Sequence, residues 1–104
     1  MAGDRLFVSD DRGVVWALDR KSGNVLWKEE GLGGRRLTKP VFVQNKIAVG
    51  DDEGYVHWLS AKDGKFITRV RVDKEGIDSP LVWQDNKLYV LGRGGKIAAY
   101  QAPN

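Results

Sequence analysis

The 104-residue chain contains no cysteine and a single histidine. Disulfides, thiolate metal sites and a thiol nucleophile are therefore excluded, as is any relay between two imidazoles. No apolar run approaches the roughly 20 residues that a membrane-crossing helix requires. Sustained 3.6-residue periodicity is missing from every window, so helix content is expected to be near zero. Gly-x-Ser-x-Gly, phosphate-loop and dinucleotide fingerprints are missing as well. The opening Met1-Ala2-Gly3-Asp4 lacks the basic and apolar regions of a signal peptide and reads as an engineered start.

The composition that is present is that of a folded domain. Hydrophobic residues make up 41% and charged residues 30%, which excludes both a disordered tail and a membrane span. A chain of this length is one domain at most, with about two-thirds of its unfolded surface available for burial. The net charge of +3 is spread along the chain, with local concentrations only at Arg35-Arg36 and Arg69-Val70-Arg71. A phosphate-tracking footprint is normally a clustered stripe. The basic residues therefore read as a solvated outer face, and no nucleic-acid partner is expected.

The chain repeats itself. "DRLFVSDDRGVVWALDRKSG" at residue 4 returns as "NKIAVGDDEGYVHWLSAKDG" at residue 45 and as "NKLYVLGRGGKIAAY" at residue 86, an offset of 41 each time. Leu6, Ile47 and Leu88 align, as do Gly13, Gly54 and Gly95. A Pro-led motif, Pro40-Val41-Phe42-Val43-Gln44 and Pro80-Leu81-Val82-Trp83-Gln84, recurs at 40. A period of about 40–45 with four short strands per unit is the signature of a β-propeller blade.

The predicted fold is all-β, in antiparallel four-stranded blades, with 1–104 as a single partial propeller domain. Its repeat units run from about 4–38, 39–78 and 79–101. Lettering the strands A to D, the A strands are expected at 39–44 and 79–84, and the B strands at 5–9, 46–50 and 87–91. The C strands are expected at 14–18, 55–60 and 96–101, and the D strands at 24–28 and 65–72. That makes about two and a half blades. Along 68–72, valine is expected inward and arginine outward, which guards an exposed edge strand against stray pairing.

The stretch "WALDRKSGNVLW" places Ala17, Asp19, Gly23 and Trp27 at the spacing Ala-x-Asp-x-x-x-Gly-x-x-x-Trp. This resembles the tryptophan-docking repeat of propellers related to pyrroloquinoline quinone (PQQ) dehydrogenases. The resemblance implies that Ala17 lies on strand C beneath Trp27 of strand D, that Asp19 and Gly23 shape the turn, and that the motif helps a blade dock on its neighbour. Gly64 repeats Gly23, but Trp58, Ser60 and Thr68 stand where the motif has Ala, Asp and Trp.

The segment "VGDDEGYVHWLSAKDGKFI", residues 49–67, with its flanks, is similar to the BamB family, propeller lipoproteins of the outer-membrane β-barrel assembly machinery. That similarity implies the C-terminal blades of an eight-bladed PQQ-like propeller at the periplasmic face of the bacterial outer membrane. It implies a non-enzymatic scaffold without cofactor, whose partners are the POTRA domains of BamA and nascent outer-membrane proteins. A lipid anchor would lie outside this sequence. The alternatives are a fragment of a quinone-dependent dehydrogenase-type propeller, or a sensor or ligand-binding propeller domain.

Residues with chemical potential read mainly as structural. His57 lies in a C strand, and Asp51-Asp52-Glu53-Gly54 falls where Asp10-Asp11-Arg12-Gly13 and Arg93-Gly94-Gly95 also fall. Calcium takes six to eight oxygen ligands, and the third copy has no carboxylate, so a B–C turn is the better reading. The four tryptophans are expected to fill interblade space. Arg35 and Arg36, in a glycine-rich interblade segment, are the candidates for binding an anion or a partner's carboxylate. No catalytic residue and no metal ligand is expected. Apolar faces are expected at both ends, with Leu6, Val8, Val14 and Trp16 on one and Leu88, Val90, Ile97 and Ala99 on the other, so the chain is expected to self-associate.

Overall fold

The computed structural model describes residues 4–103; Met1–Gly3, part of the start read above as engineered, and Asn104 lie outside the described residues. Ten strands follow in order: β1 (Arg5–Ser9), β2 (Val15–Asp19), β3 (Val25–Glu29), β4 (Val41–Val43), β5 (Lys46–Gly50), β6 (Tyr55–Ser60), β7 (Phe66–Arg71), β8 (Val82–Gln84), β9 (Lys87–Leu91) and β10 (Ile97–Tyr100). They form three antiparallel sheets, ordered β1-β2-β3, β4-β5-β6-β7 and β8-β9-β10. These are the expected blades, and the described residues contain no helix. The A strands, β4 and β8, are shorter than expected and start after the prolines, which have no amide hydrogen for the ladder.

Turn chemistry sets the register. Gln44 and Asn45 have φ of 50° and 67°, and Asp85 and Asn86 have 53° and 62°. Positive φ at both central residues is the two-residue turn whose twist matches a hairpin. It pairs Val43 with Lys46 and Gln84 with Lys87. The first two blades also share an irregularity: register shifts between Ala17 and Leu18 and between Trp58 and Leu59, at equivalent positions of strand C.

The middle sheet is buried on both faces along β5 and β6, which are almost wholly enclosed, while its outer strand β7 is largely exposed. Towards the first blade it presents Val49 and Leu59, packed with Val15 and Leu32 and flanked by Trp27 and Leu37. Towards the third it presents Ala48, Val56 and Trp58, packed with Ile77, Leu81, Leu88 and Val90. Alternate residues of one strand thus supply two cores, as a period of two requires.

One expectation is corrected here. Leu88 and Val90 are buried, at 0% and 1% exposure, against the middle blade. The outward face of β9 carries Tyr89 and Leu91, at 40% and 45%. Because side chains alternate, a phase error of one residue moves the whole set to the other face. Ile97 and Ala99 are exposed as expected, as are Leu6 and Val8, whereas Val14 and Trp16 are half-buried.

Candidate functional site

Trp27 joins two blades. It pairs with Ala17, which is fully buried on the facing strand. Its ring, however, does not stay on its own hairpin. Nε1 donates to the Ala61 carbonyl at 3.0 Å, and the ring covers Gly64 on the C–D turn of the next blade. A methyl group at Gly64 would come within 2.5 Å of the indole, and Gly64 has φ of 79°, so glycine is required there twice over. Arg5 adds a bond to the same Ala61 carbonyl at 2.8 Å. In the first C–D turn the Asp19 carboxylate accepts the Lys21 amide and the Asp19 carbonyl accepts the Gly23 amide.

The altered second copy of the motif is an exchange of sizes. Trp58 pairs with Thr68 across β6 and β7, as Ala17 pairs with Trp27 across β2 and β3. The bulk has moved from the outer strand to the inner one. Trp58, 2% exposed, fills the core between the second and third blades.

Each B–C turn is closed by a carboxylate, but not always by its own. Asp10 accepts the amides of Arg12 and Val14 and the Trp16 indole. Asp51 accepts the amides of Glu53 and Tyr55. In the third blade the equivalent residue is Gly92, and Asp73 reaches in from the preceding interblade segment to accept the amides of Gly94 and Lys96. Any side chain at Gly92 would overlap Asp73. Hydrogen bonds hold two of these carboxyls below the usual range, led by the Trp16 indole at Asp10 and by the Glu75 amide at Asp73.

Among the described residues, Asp51 is the most heavily engaged carboxylate. It is fully buried, and its Oδ2 faces His57 Nε2 at 2.6 Å and Nη1 of Arg35. Burial alone would raise its pKa, but the His57, Tyr55 and Arg35 hydrogen bonds outweigh that and hold it at about 2. Four donors occupy the two oxygens. The carboxylate is committed to holding β6, the B–C turn and the 30–36 segment together.

The two arginines singled out in the sequence diverge. Arg35 turns inward to Asp51, with Glu53 at 3.6 Å, so the carboxylates it meets belong to its own chain. Arg36 is exposed, beside Ser9, Asp10 and Asp11. Sequence reasoning missed Tyr55, which gathers the guanidinium groups of Arg69, Arg71 and Arg35 at 4.5, 5.2 and 5.8 Å from its ring centroid. The available signal was strand register: Tyr55 pairs with Arg71, and His57 pairs with Arg69.

Antiparallel sheets carrying this turn chemistry and an indole docked across blades define PQQ-like β-propeller blades. Residues 11–104 match the family model described as outer membrane protein assembly factor BamB, and the chain belongs to that family. The BamB of Shewanella oneidensis is 38% identical over 102 residues, 98% of this chain and 26% of that protein. The BamB of Pseudomonas aeruginosa is 40% identical over 95 residues, 91% of this chain and 25% of that protein. The crystal structure of BamB from Moraxella catarrhalis superposes with a TM-score of 0.90 at 33% identity, covering 98% of this chain and 30% of that one. The chain thus spans about a quarter of the length of the curated relatives it matches. Quinohemoprotein alcohol dehydrogenase from Comamonas testosteroni, with a TM-score of 0.77 at 21% identity over 95% of this chain and 18% of that one, shares the fold alone.

Proposed function

We propose that this chain supplies consecutive blades, in the repeat units 4–38, 39–78 and 79–101, to a non-enzymatic scaffold that supports insertion of β-barrel proteins into the bacterial outer membrane. The observation that carries the reading is similarity to proteins named outer membrane protein assembly factor BamB over nearly the whole chain, in both sequence and fold. The disposition of the buried acids supports a scaffold over an enzyme. Asp51 and Asp73 spend their oxygens on turn amides and neighbouring side chains, which fixes blade geometry. The parent protein would work by contact, at the periplasmic face of the outer membrane, with the POTRA domains of BamA and nascent outer-membrane proteins as partners.

Segment exchange tests this. Residues 4–101 replace the corresponding part of the Shewanella relative in cells lacking their own BamB, and folded outer-membrane β-barrel content is measured. Restoration of that content is expected. A chimera that accumulates normally yet restores nothing contradicts the reading.

A further inference from the structure

A groove of about 310 Å³ opens on the flank of the second blade, between the 30–36 segment and β7. Leu32, Phe66 and Ile67 give it apolar walls, His57 and Arg35 line its inner part, and Arg69 stands at its rim. Phe66 and Ile67 are 45% and 40% exposed, a large apolar investment for a strand that pairs on one side only.

The charge around the groove is unbalanced. Arg35 is matched by Asp51 and Glu53. Among the described residues, Arg71 donates to the Glu53 backbone carbonyl and to no carboxylate, and Arg69 makes no ion pair. Both guanidinium groups nevertheless converge on the Tyr55 ring, so two cations without a carboxylate are held side by side. Phe66 shares their face, since its cross-strand partner Leu59 lies on the same side of β6 as His57 and Tyr55.

We propose that this groove docks an extended, acidic segment of a partner polypeptide, with an apolar side chain entering between Leu32, Phe66 and Ile67 and carboxylates bound by Arg69 and Arg71. Guanidinium groups bind carboxylates through paired, charge-assisted hydrogen bonds, and two prepositioned by one ring lose less freedom on binding. An extended segment places residues i, i+2 and i+4 on one face. Phe66, Arg69 and Arg71 stand opposite Leu59, His57 and Tyr55, which are two residues apart on β6 because the register shift takes up the extra residue of β7, so that spacing matches an apolar residue at Phe66 followed by acids at Arg69 and Arg71. A lipid surface fits less well, because the apolar walls enclose a concavity floored by the fixed pair Arg35 and His57 rather than forming a plane. That the occupant is a polypeptide rests on the scaffold reading above.

The probe is a labelled, end-capped hexapeptide, Thr-Phe-Thr-Asp-Thr-Asp, titrated with the full chain and read by fluorescence anisotropy. Saturable binding is expected, weakened about tenfold or more in Arg69→Ala/Arg71→Ala and by a smaller factor, about threefold, in Arg69→Lys/Arg71→Lys, which keeps the charge but not the paired hydrogen bonds. Replacing the peptide's Phe with Gly should weaken binding about fivefold or more. Both arginines are exposed, so circular dichroism of the variants is expected to match the parent. No saturation up to about millimolar peptide, or binding indifferent to the arginine pair, overturns the proposal. So does arginine-dependent sedimentation with phosphatidylglycerol vesicles in the absence of peptide binding. Segment exchange is read separately in cells, so either result can fail while the other stands.

Discussion

The Asp73 carboxylate accepts the Gly94 amide at 2.8 Å, across 21 residues of sequence and the gap between two blades. The first two blades close the same turn with an acid of their own, Asp10 or Asp51, two residues ahead of the first amide they bind. In the third blade that position is glycine, and the acid comes from the segment entering the blade. The swap turns a local cap into a tie between neighbours.

That tie predicts a specific epistasis. Gly92→Asp should destabilise the chain because its side chain would collide with Asp73, and Asp73→Gly should destabilise it because the turn amides lose their acceptor. The double variant removes the collision and restores a local acid. Its loss of melting temperature should be smaller than the two single losses added together, a coupling characteristic of residues in contact. Simple additivity of the two losses would show that the carboxylate is not shared in this way.

The two equivalent glycines should respond differently to the same change. Gly23 and Gly64 have φ of 78° and 79°, but nothing lies within 4 Å of a Cβ on Gly23, whereas Trp27 covers Gly64. Gly23→Ala should cost about 1 kcal/mol, the backbone strain of a left-handed alanine. Gly64→Ala should cost about 2–3 kcal/mol, since the indole must also move. In a Trp27→Ala background the two costs should converge. Urea unfolding checks this, and equal costs in the parent chain would contradict interblade docking.

Asp51 predicts an acid-sensitive contribution to stability. Its pKa is held at about 2 in the folded chain against 3.8 ordinarily. The folded value is the lower one, so the contribution is complete above about pH 5 and lost as pH falls through the folded pKa. A difference of this size is worth about 2 kcal/mol. The stability gap between the parent and Asp51→Asn should therefore shrink between about pH 5 and pH 2. A gap constant across that range would show that the carboxylate's ionisation does not matter.

Much of this architecture is legible in the sequence because repeats compare like with like. The 41-residue offset located all ten strands to within three residues. What escaped were relationships that break the repeat. Position-by-position alignment finds glycine at 92 and no acid, because the substitute is supplied from position 73. It scores Trp58 and Thr68 as losses, because it cannot see that a pair exchanged sizes. The phase of β9 was misread for a related reason: Leu88, Tyr89, Val90 and Leu91 are all apolar, so no alternation marks the inner face. In the sequence Arg35 reads as available to partners because its acceptor, Asp51, lies 16 residues on and meets it only once the sheet is formed.

The apolar faces at the two ends predict self-association. Leu6 and Val8 are exposed on one outer face, and Tyr89, Leu91 and Ile97 on the other, with Ile97 at 76%. Burying even a few hundred Å² of such surface at about 25 cal/mol per Å² favours association by several kcal/mol. Light scattering of the chain should report oligomers at high concentration. A mass of 11.6 kDa across the whole range would contradict this.

If the parent protein works by holding a shape, the function and the stability of its variants must fall together. In the segment-exchange strain, Trp27→Ala, Asp73→Gly, Asp51→Asn and His57→Gln are each scored for folded outer-membrane β-barrel content and for melting temperature of the purified chimera. One curve is expected, on which loss of content follows loss of stability and a variant with parental stability retains parental content. An Asp51→Asn or His57→Gln chimera that melts like the parent but restores no β-barrel content would assign chemistry to that side chain and contradict the scaffold.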